Sequence, residues 1–116
     1  DDNGFAESRA RSLFERGASA RMIRAKLAEK GIARAAVDQA LETVFADHEA
    51  PDITAANRFA QRRRLGPYRL TGARDANRTR DLAALARAGF GFDVARTVID
   101  ADSADALEAG GWAAQG

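Results

Sequence analysis

Eight arginines fall within 23 residues of this sequence: Arg58, Arg62, Arg63, Arg64, Arg69, Arg74, Arg78 and Arg80, with Phe59 and Tyr68 among them. Guanidinium forks match phosphates and carboxylates bidentately and bury more readily than an ammonium. Such a block fits a nucleic-acid backbone or an acidic protein surface. The plainer alternative is a solvated helix face followed by a basic loop. Three consecutive arginines wrap most of a helix's circumference, so Arg62, Arg63 and Arg64 cannot all serve one flat surface. Arg58, Arg62 and Arg69 are the co-facial candidates. A second basic group is Arg21, Arg24, Lys26 and Lys30, diluted by Glu29; here the plainer alternative is the charged flank of an amphipathic helix.

Catalytic chemistry is poorly supplied. His48 is the only His, set in Asp47-His48-Glu49 with no Ser or Cys partner implied. We expect it exposed at a helix end, where a positive charge meets the dipole. Asp100, Asp102 and Asp105 resemble part of a calcium loop, yet the glycine and distal Glu of such a loop are missing. Gly89-Phe90-Gly91 follows no strand and precedes no Lys-Ser/Thr pair, so it is no phosphate loop. Zero Cys excludes disulfides, thiolate metal sites and Cys nucleophiles, and fits a reducing compartment. The expectation is a protein without active site, cofactor, metal or small-molecule substrate.

The elements that must position these residues are helical. Among 116 residues, 28 are Ala and 16 Arg, against 2 Lys and 2 Pro. Ala and Arg are strong helix formers, and the β-branched and aromatic residues of a sheet are scarce. The length suits one domain. No apolar run approaches the roughly 18 residues of a membrane span, and Asp1-Asp2 is the opposite of a signal peptide's basic start. A cytoplasmic all-α protein is therefore expected. The net charge of +1 hides a segregation: residues 1–56 sum to −2, residues 57–80 to +7, residues 81–92 to zero and residues 93–116 to −4. Such asymmetry concerns partners and steering more than fold.

Six helical segments follow from periodicity and stop signals. Asp2 or Asn3 caps the first, whose stripe is Ala6, Ala10, Leu13 and Phe14, with Gly17 as its end; Phe5 lies off the stripe and is expected to fold back on a neighbour. Ser19 caps the second, with Ile23 and Leu27 inward and Gly31 as stop. The third, about Arg34 to Asp47, buries Val37, Ala40, Leu41, Val44 and Phe45. Pro51-Asp52 starts the fourth, with Ile53, Ala56, Phe59 and Ala60 inward, ending at Leu65-Gly66-Pro67. After a loop over 66–74, Asp75 caps a fifth carrying Leu82, Leu85 and Ala86 and ended by Gly89. A sixth from near Phe92 carries Val94, Ala95, Val98 and Ile99, and Ser103 caps one further turn with Leu107. Residues 110–116 are expected to form a flexible tail.

Aligning the glycines exposes an internal repeat. Leu27-Ala-Glu-Lys-Gly31-Ile32 matches Leu85-Ala-Arg-Ala-Gly89-Phe90, and Leu41 and Ile99 each lie ten residues past the glycine. Each unit reads as helix, helix, Gly-hydrophobe turn, helix, in the manner of stacked repeats. The expected units are 1–50 and 51–109, elongated in tandem.

These residues carry a resemblance. Asp1-Asp2-Asn-Gly-Phe5-Ala6, Arg16-Gly17, Arg21-Met-Ile23-Arg24-Ala-Lys26-Leu27-Ala-Glu-Lys30-Gly31-Ile32 and Ala40-Leu41 resemble the central repeat of the RecX family. Phe59-Ala60, Arg62-Arg63-Arg64, Leu65-Gly66 and Arg87-Ala-Gly89-Phe90 are similar to that family's last repeat, so the resemblance spans about residues 1–100. Family members usually carry another repeat before the Asp-Asp turn at which this sequence starts. The resemblance implies a cytoplasmic, non-enzymatic regulator of the RecA recombinase in DNA repair, recombination and the SOS response. It implies binding in the groove of the RecA–single-stranded-DNA filament, with Arg21, Arg24, Lys26, Lys30, Arg58, Arg62, Arg63 and Arg69 as candidate contacts. Single-stranded DNA is a further candidate partner, and no membrane is expected. The alternative reading is a stand-alone helical DNA-binding domain gripping phosphates with Arg58–Arg80.

Overall fold

The structure, a computed structural model, describes residues 2–70 and 72–110. Helix accounts for 72% of the described residues, and none of them is in a strand. The α-helices are α1 (Asp2–Glu15), α2 (Ala20–Glu29), α3 (Arg34–Phe45), α4 (Pro51–Arg63), α5 (Arg78–Arg87), α6 (Phe92–Ile99) and α7 (Ala104–Glu108). Two 3-10 turns, Gly66–Tyr68 and Asp75–Asn77, lie between α4 and α5. No helix among the described residues is long and apolar enough to cross a membrane.

The aligned repeat is one turn built twice. Ile32 N–H donates to Leu27 O and Phe90 N–H to Leu85 O, both at 3.1 Å, around left-handed Gly31 and Gly89. This is the Schellman closure, in which a residue at positive φ lets the chain reach back over the last turn. The expected end of α4 is corrected. Its left-handed residue is Arg64 (φ 57°), the only described non-glycine at positive φ, and Leu65 N–H closes the turn on Ala60 O at 2.9 Å. Gly66 serves elsewhere: its N–H donates to Asp81, and a Cβ on it would stand 3.1 Å from the Ile99 backbone.

Other local expectations meet the structure at their edges. Asp2 and Asn3 already lie inside α1, so neither caps it from outside; the Asp2 carboxylate sits in the first turn, where the dipole favours it. Ser19 and Ser103 are N-caps, accepting the N–H of Met22 and Ala106. Asp75 is not a cap but opens a 3-10 turn, and α5 starts three residues later at Arg78. The buried face of α5 passes through Asp81 and Leu85, whereas Ala86 faces water. Phe5 is not folded away as expected but stays 47% exposed. Of the expected tail, residues 111–116 lie outside the described residues.

α1, α2 and α3 pack as one bundle and α4, α5 and α6 as a second, with α1 against α4 across the join. The Cα extents are 49 × 26 × 20 Å and the radius of gyration is 14.9 Å, against about 13 Å for a compact chain of this length. The bundles are therefore arranged in tandem. Leu13, Phe14, Ile23, Leu27, Val37, Leu41 and Val44 fill the first; Ala55, Ala56, Ala60, Leu85, Phe90, Val98 and Ile99 fill the second.

Candidate functional site

The arginine block is drawn inward more than its sequence suggests. Arg58 Nη1 donates to Phe14 O at 3.3 Å, with its guanidinium 4.9 Å from the Phe14 ring centre. One turn on, Arg62 Nη1 donates to Arg16 O at 2.9 Å. Both serve carbonyls at the C-terminal end of α1, where the dipole attracts cations, and Phe14 O also accepts the Gly17 N–H at 3.0 Å. Arg74 donates to Ile99 O at 2.8 Å and to Ala101 O, doing the same for α6. Arg78 holds Asp100 bidentately, both contacts at 2.7 Å, so one of the three acids set out like a calcium loop is paired.

Arg69 grips Asp81 through Nε and Nη2, each at 2.7 Å. Asp81 is fully buried and also accepts the Gly66 N–H at 2.9 Å. Burial pushes its carboxyl up, and the Arg69 guanidinium with the Gly66 N–H outweighs this and holds it below the usual range. The hydrogen bonds from Arg78 likewise hold the Asp100 carboxyl low. The expected grouping of Arg58, Arg62 and Arg69 is thus corrected. The first two reach toward α1 and the third toward α5, because Arg69 lies beyond the left-handed turn that ends the helix shared by the others.

The two bundles are joined by a polar seam. The buried Ser19 hydroxyl accepts the Met22 N–H and donates to Ala88 O, each at 3.0 Å, tying the start of α2 to the end of α5. Asp52 Oδ1 accepts the Ala20 N–H at 2.9 Å. The approach needs glycine: a Cβ on Gly17 would lie 2.8 Å from Phe59 N, and one on Gly89 2.6 Å from Ser19 Oγ. Sequence reasoning found these glycines as helix stops; their second role as contact points carries no local signal.

Beside this seam runs a groove of three adjoining hollows that share Phe59, the most apolar of them about 250 Å³. Its floor is Phe59, Ala18, Met22 and Ala88, all half-buried. Its rim is Arg16, Lys26, Arg62, Arg63 and Arg87, and no acidic residue lines it. The Arg63 guanidinium lies 4.8 Å from the Phe59 ring centre. Among the described residues the ion pairs are Arg11–Glu7, Arg24–Asp38, Arg69–Asp81 and Arg78–Asp100, none of which involves a rim cation. The structure therefore brings Lys26, Arg62 and Arg63 together from two different bundles. Arg21, Arg24 and Lys30 stand exposed on α2 and at its end, Arg24 holding Asp38 at 2.6 Å. Arg16 and Arg87, absent from the sequence candidates, join the rim because α1 and α5 end there.

Nothing in the groove converges for covalent chemistry. His48 is not exposed as expected; it is half-buried with its ring edge-on to Phe14 at 4.9 Å. Among the described residues no cluster of three or more His, Cys, Asp or Glu is placed to hold a metal. The arrangement suits non-covalent binding of anionic groups beside an apolar one.

Residues 1–41 match a family described as the RecX second three-helix domain. The chain is 45% identical over 105 residues to the Regulatory protein RecX of Myxococcus xanthus (strain DK1622), covering 90% of this chain and 55% of that protein. It is 35% identical over 99 residues to the Regulatory protein RecX of Agrobacterium fabrum (strain C58), covering 85% and 50%. The chain thus spans about half the length of the curated relatives it matches. No solved structure matches it.

Proposed function

From the premise that this chain belongs to the RecX family, we propose that it is a non-catalytic, cytoplasmic regulator that restrains the RecA recombinase by docking in the groove of the RecA–single-stranded-DNA filament. The observation that carries this reading is the elongated tandem of two bundles whose junction gathers five cations, none in an ion pair among the described residues and only Arg62 already bonded to a carbonyl. A long module with several modest contacts gains avidity along a repeating filament that one bundle would lack. In this reading the working units are residues 1–50 and 51–109. Direct DNA gripping by Arg58–Arg80 is less well supported, since Arg58, Arg62, Arg69, Arg74 and Arg78 already serve internal carbonyls and carboxylates.

Co-sedimentation with RecA filaments on single-stranded DNA, with bare DNA as control, tests it. Filament binding should exceed bare-DNA binding by more than about tenfold, roughly 1.4 kcal/mol. Equal affinity for both would sink the regulator reading.

A further inference from the structure

We infer that the groove around Phe59 is a docking site for an acidic protein segment that carries a large apolar side chain. The inference deepens the regulator reading by naming the chemistry of the partner, and rests on it only for the partner's being a protein.

The surface has two halves that single residue types do not explain. Phe59, Met22, Ala18 and Ala88 form an apolar floor that folding leaves only partly covered. Covering such a floor releases water at about 25 cal/mol per Å², so an aliphatic or aromatic side chain gains by seating there. Around it stand Arg16, Lys26, Arg62, Arg63 and Arg87, contributed by the ends or faces of α1, α2, α4 and α5. Four described arginines outside the rim lie against carboxylates, Arg11 with Glu7, Arg24 with Asp38, Arg69 with Asp81 and Arg78 with Asp100, and others such as Arg58 and Arg74 serve backbone carbonyls. The rim cations have no carboxylate, so the missing negative charge is the occupant's to bring.

The same geometry favours peptide over nucleic acid. A single-strand groove stacks successive bases on open aromatic faces. Here one aromatic is present, and Arg63 already covers its ring at 4.8 Å. The rest of the floor is methyl and thioether, which fits an aliphatic anchor. The groove also spans the junction, so an occupant would touch both bundles at once and read their relative placement.

The test is fluorescence anisotropy with the 116-residue chain and a short labelled acidic peptide holding one central Leu. Controls are the same peptide with Ser for Leu, and a labelled oligothymidine. The Leu peptide should bind more tightly than both controls, by about tenfold. Lys26→Glu with Arg87→Glu, both exposed and free of ion pairs in this fold, should weaken it by at least that factor while the helical circular-dichroism signal stays unchanged. Equal binding of the Ser peptide, tighter binding of oligothymidine, or an undiminished double variant would each overturn the inference. Should the folding signal drop, Lys26→Gln with Arg87→Gln repeats the measurement without charge reversal, and unchanged affinity there also overturns it. Peptide binding that persists while filament co-sedimentation fails would instead sink the regulator reading alone.

Discussion

The first bundle is closed by apolar volume and the second by polar clamps. α1 joins α2 through residues 16–19 alone, and Leu13, Phe14, Ile23, Leu27, Val37, Leu41 and Val44 meet directly. Its ion pairs, Arg11–Glu7 and Arg24–Asp38, are about half exposed, and such pairs contribute little. In the second bundle α4 offers Ala55, Ala56 and Ala60, whose methyl groups permit close approach but remove little area from water. Residues 64–77 lengthen the α4–α5 connection and supply what the alanines lack. Arg69 locks Asp81, Arg74 caps α6, and Tyr68 donates to Asn57 on α4. A helical repeat can thus keep its turns while exchanging hydrophobic volume for directional bonds.

The sharpest way to break this contrast is in the first bundle. Leu41→Ala should cost about 2–5 kcal/mol in urea denaturation, the range for truncating a buried Leu. A loss under about 1 kcal/mol would mean that α3 does not carry that core.

Asp81→Ala should destabilise by about 3 kcal/mol, at the low end for a broken buried pair because the Arg69 side chain keeps 21% of its surface in water. Native-state hydrogen exchange should then show protection lost over residues 78–99 before residues 2–45. Uniform loss would show that the bundles share one cooperative unit and that the contrast is only local.

Acid should act in the same direction. Asp81 and Asp100 are both held below their ordinary values, so their stabilisation is complete above the unfolded carboxylate range, near pH 4, and fades as pH falls through their folded values. Exchange in the second bundle should rise first on acidification. Earlier opening of the first bundle would contradict the clamp account.

The smallest expected effect sharpens the comparison. Arg64 occupies the left-handed position that Gly17 fills after α1, and non-glycine residues there cost about 1 kcal/mol. Arg64→Gly should raise stability by that order on urea denaturation, and no gain would mean that the Arg64 side chain offsets its own strain.

Most outcomes that a few consecutive residues decide were legible in the sequence. The stripe from Val37 to Phe45, the stops at Gly31 and Gly89, and the Ser19 and Ser103 caps are local matters of 3.6-residue periodicity and backbone freedom. The same locality made the all-helical class and the repeat legible. It failed at Arg64, because Gly66 two residues on is the more obvious stop, and at Asp75, where the helix begins later.

The destinations of the long side chains were decided by tertiary structure alone. Arg58 finds Phe14 O 44 positions away and Arg62 finds Arg16 O 46 away. The groove likewise combines Lys26 of α2 with Arg63 of α4 and Arg87 of α5. A guanidinium has five donors on a flexible stem, and carbonyls at any helix end can satisfy it. Composition therefore fixes that the charge is present, and only the packing of distant helices determines whether it caps a neighbour or stands unpaired beside Phe59.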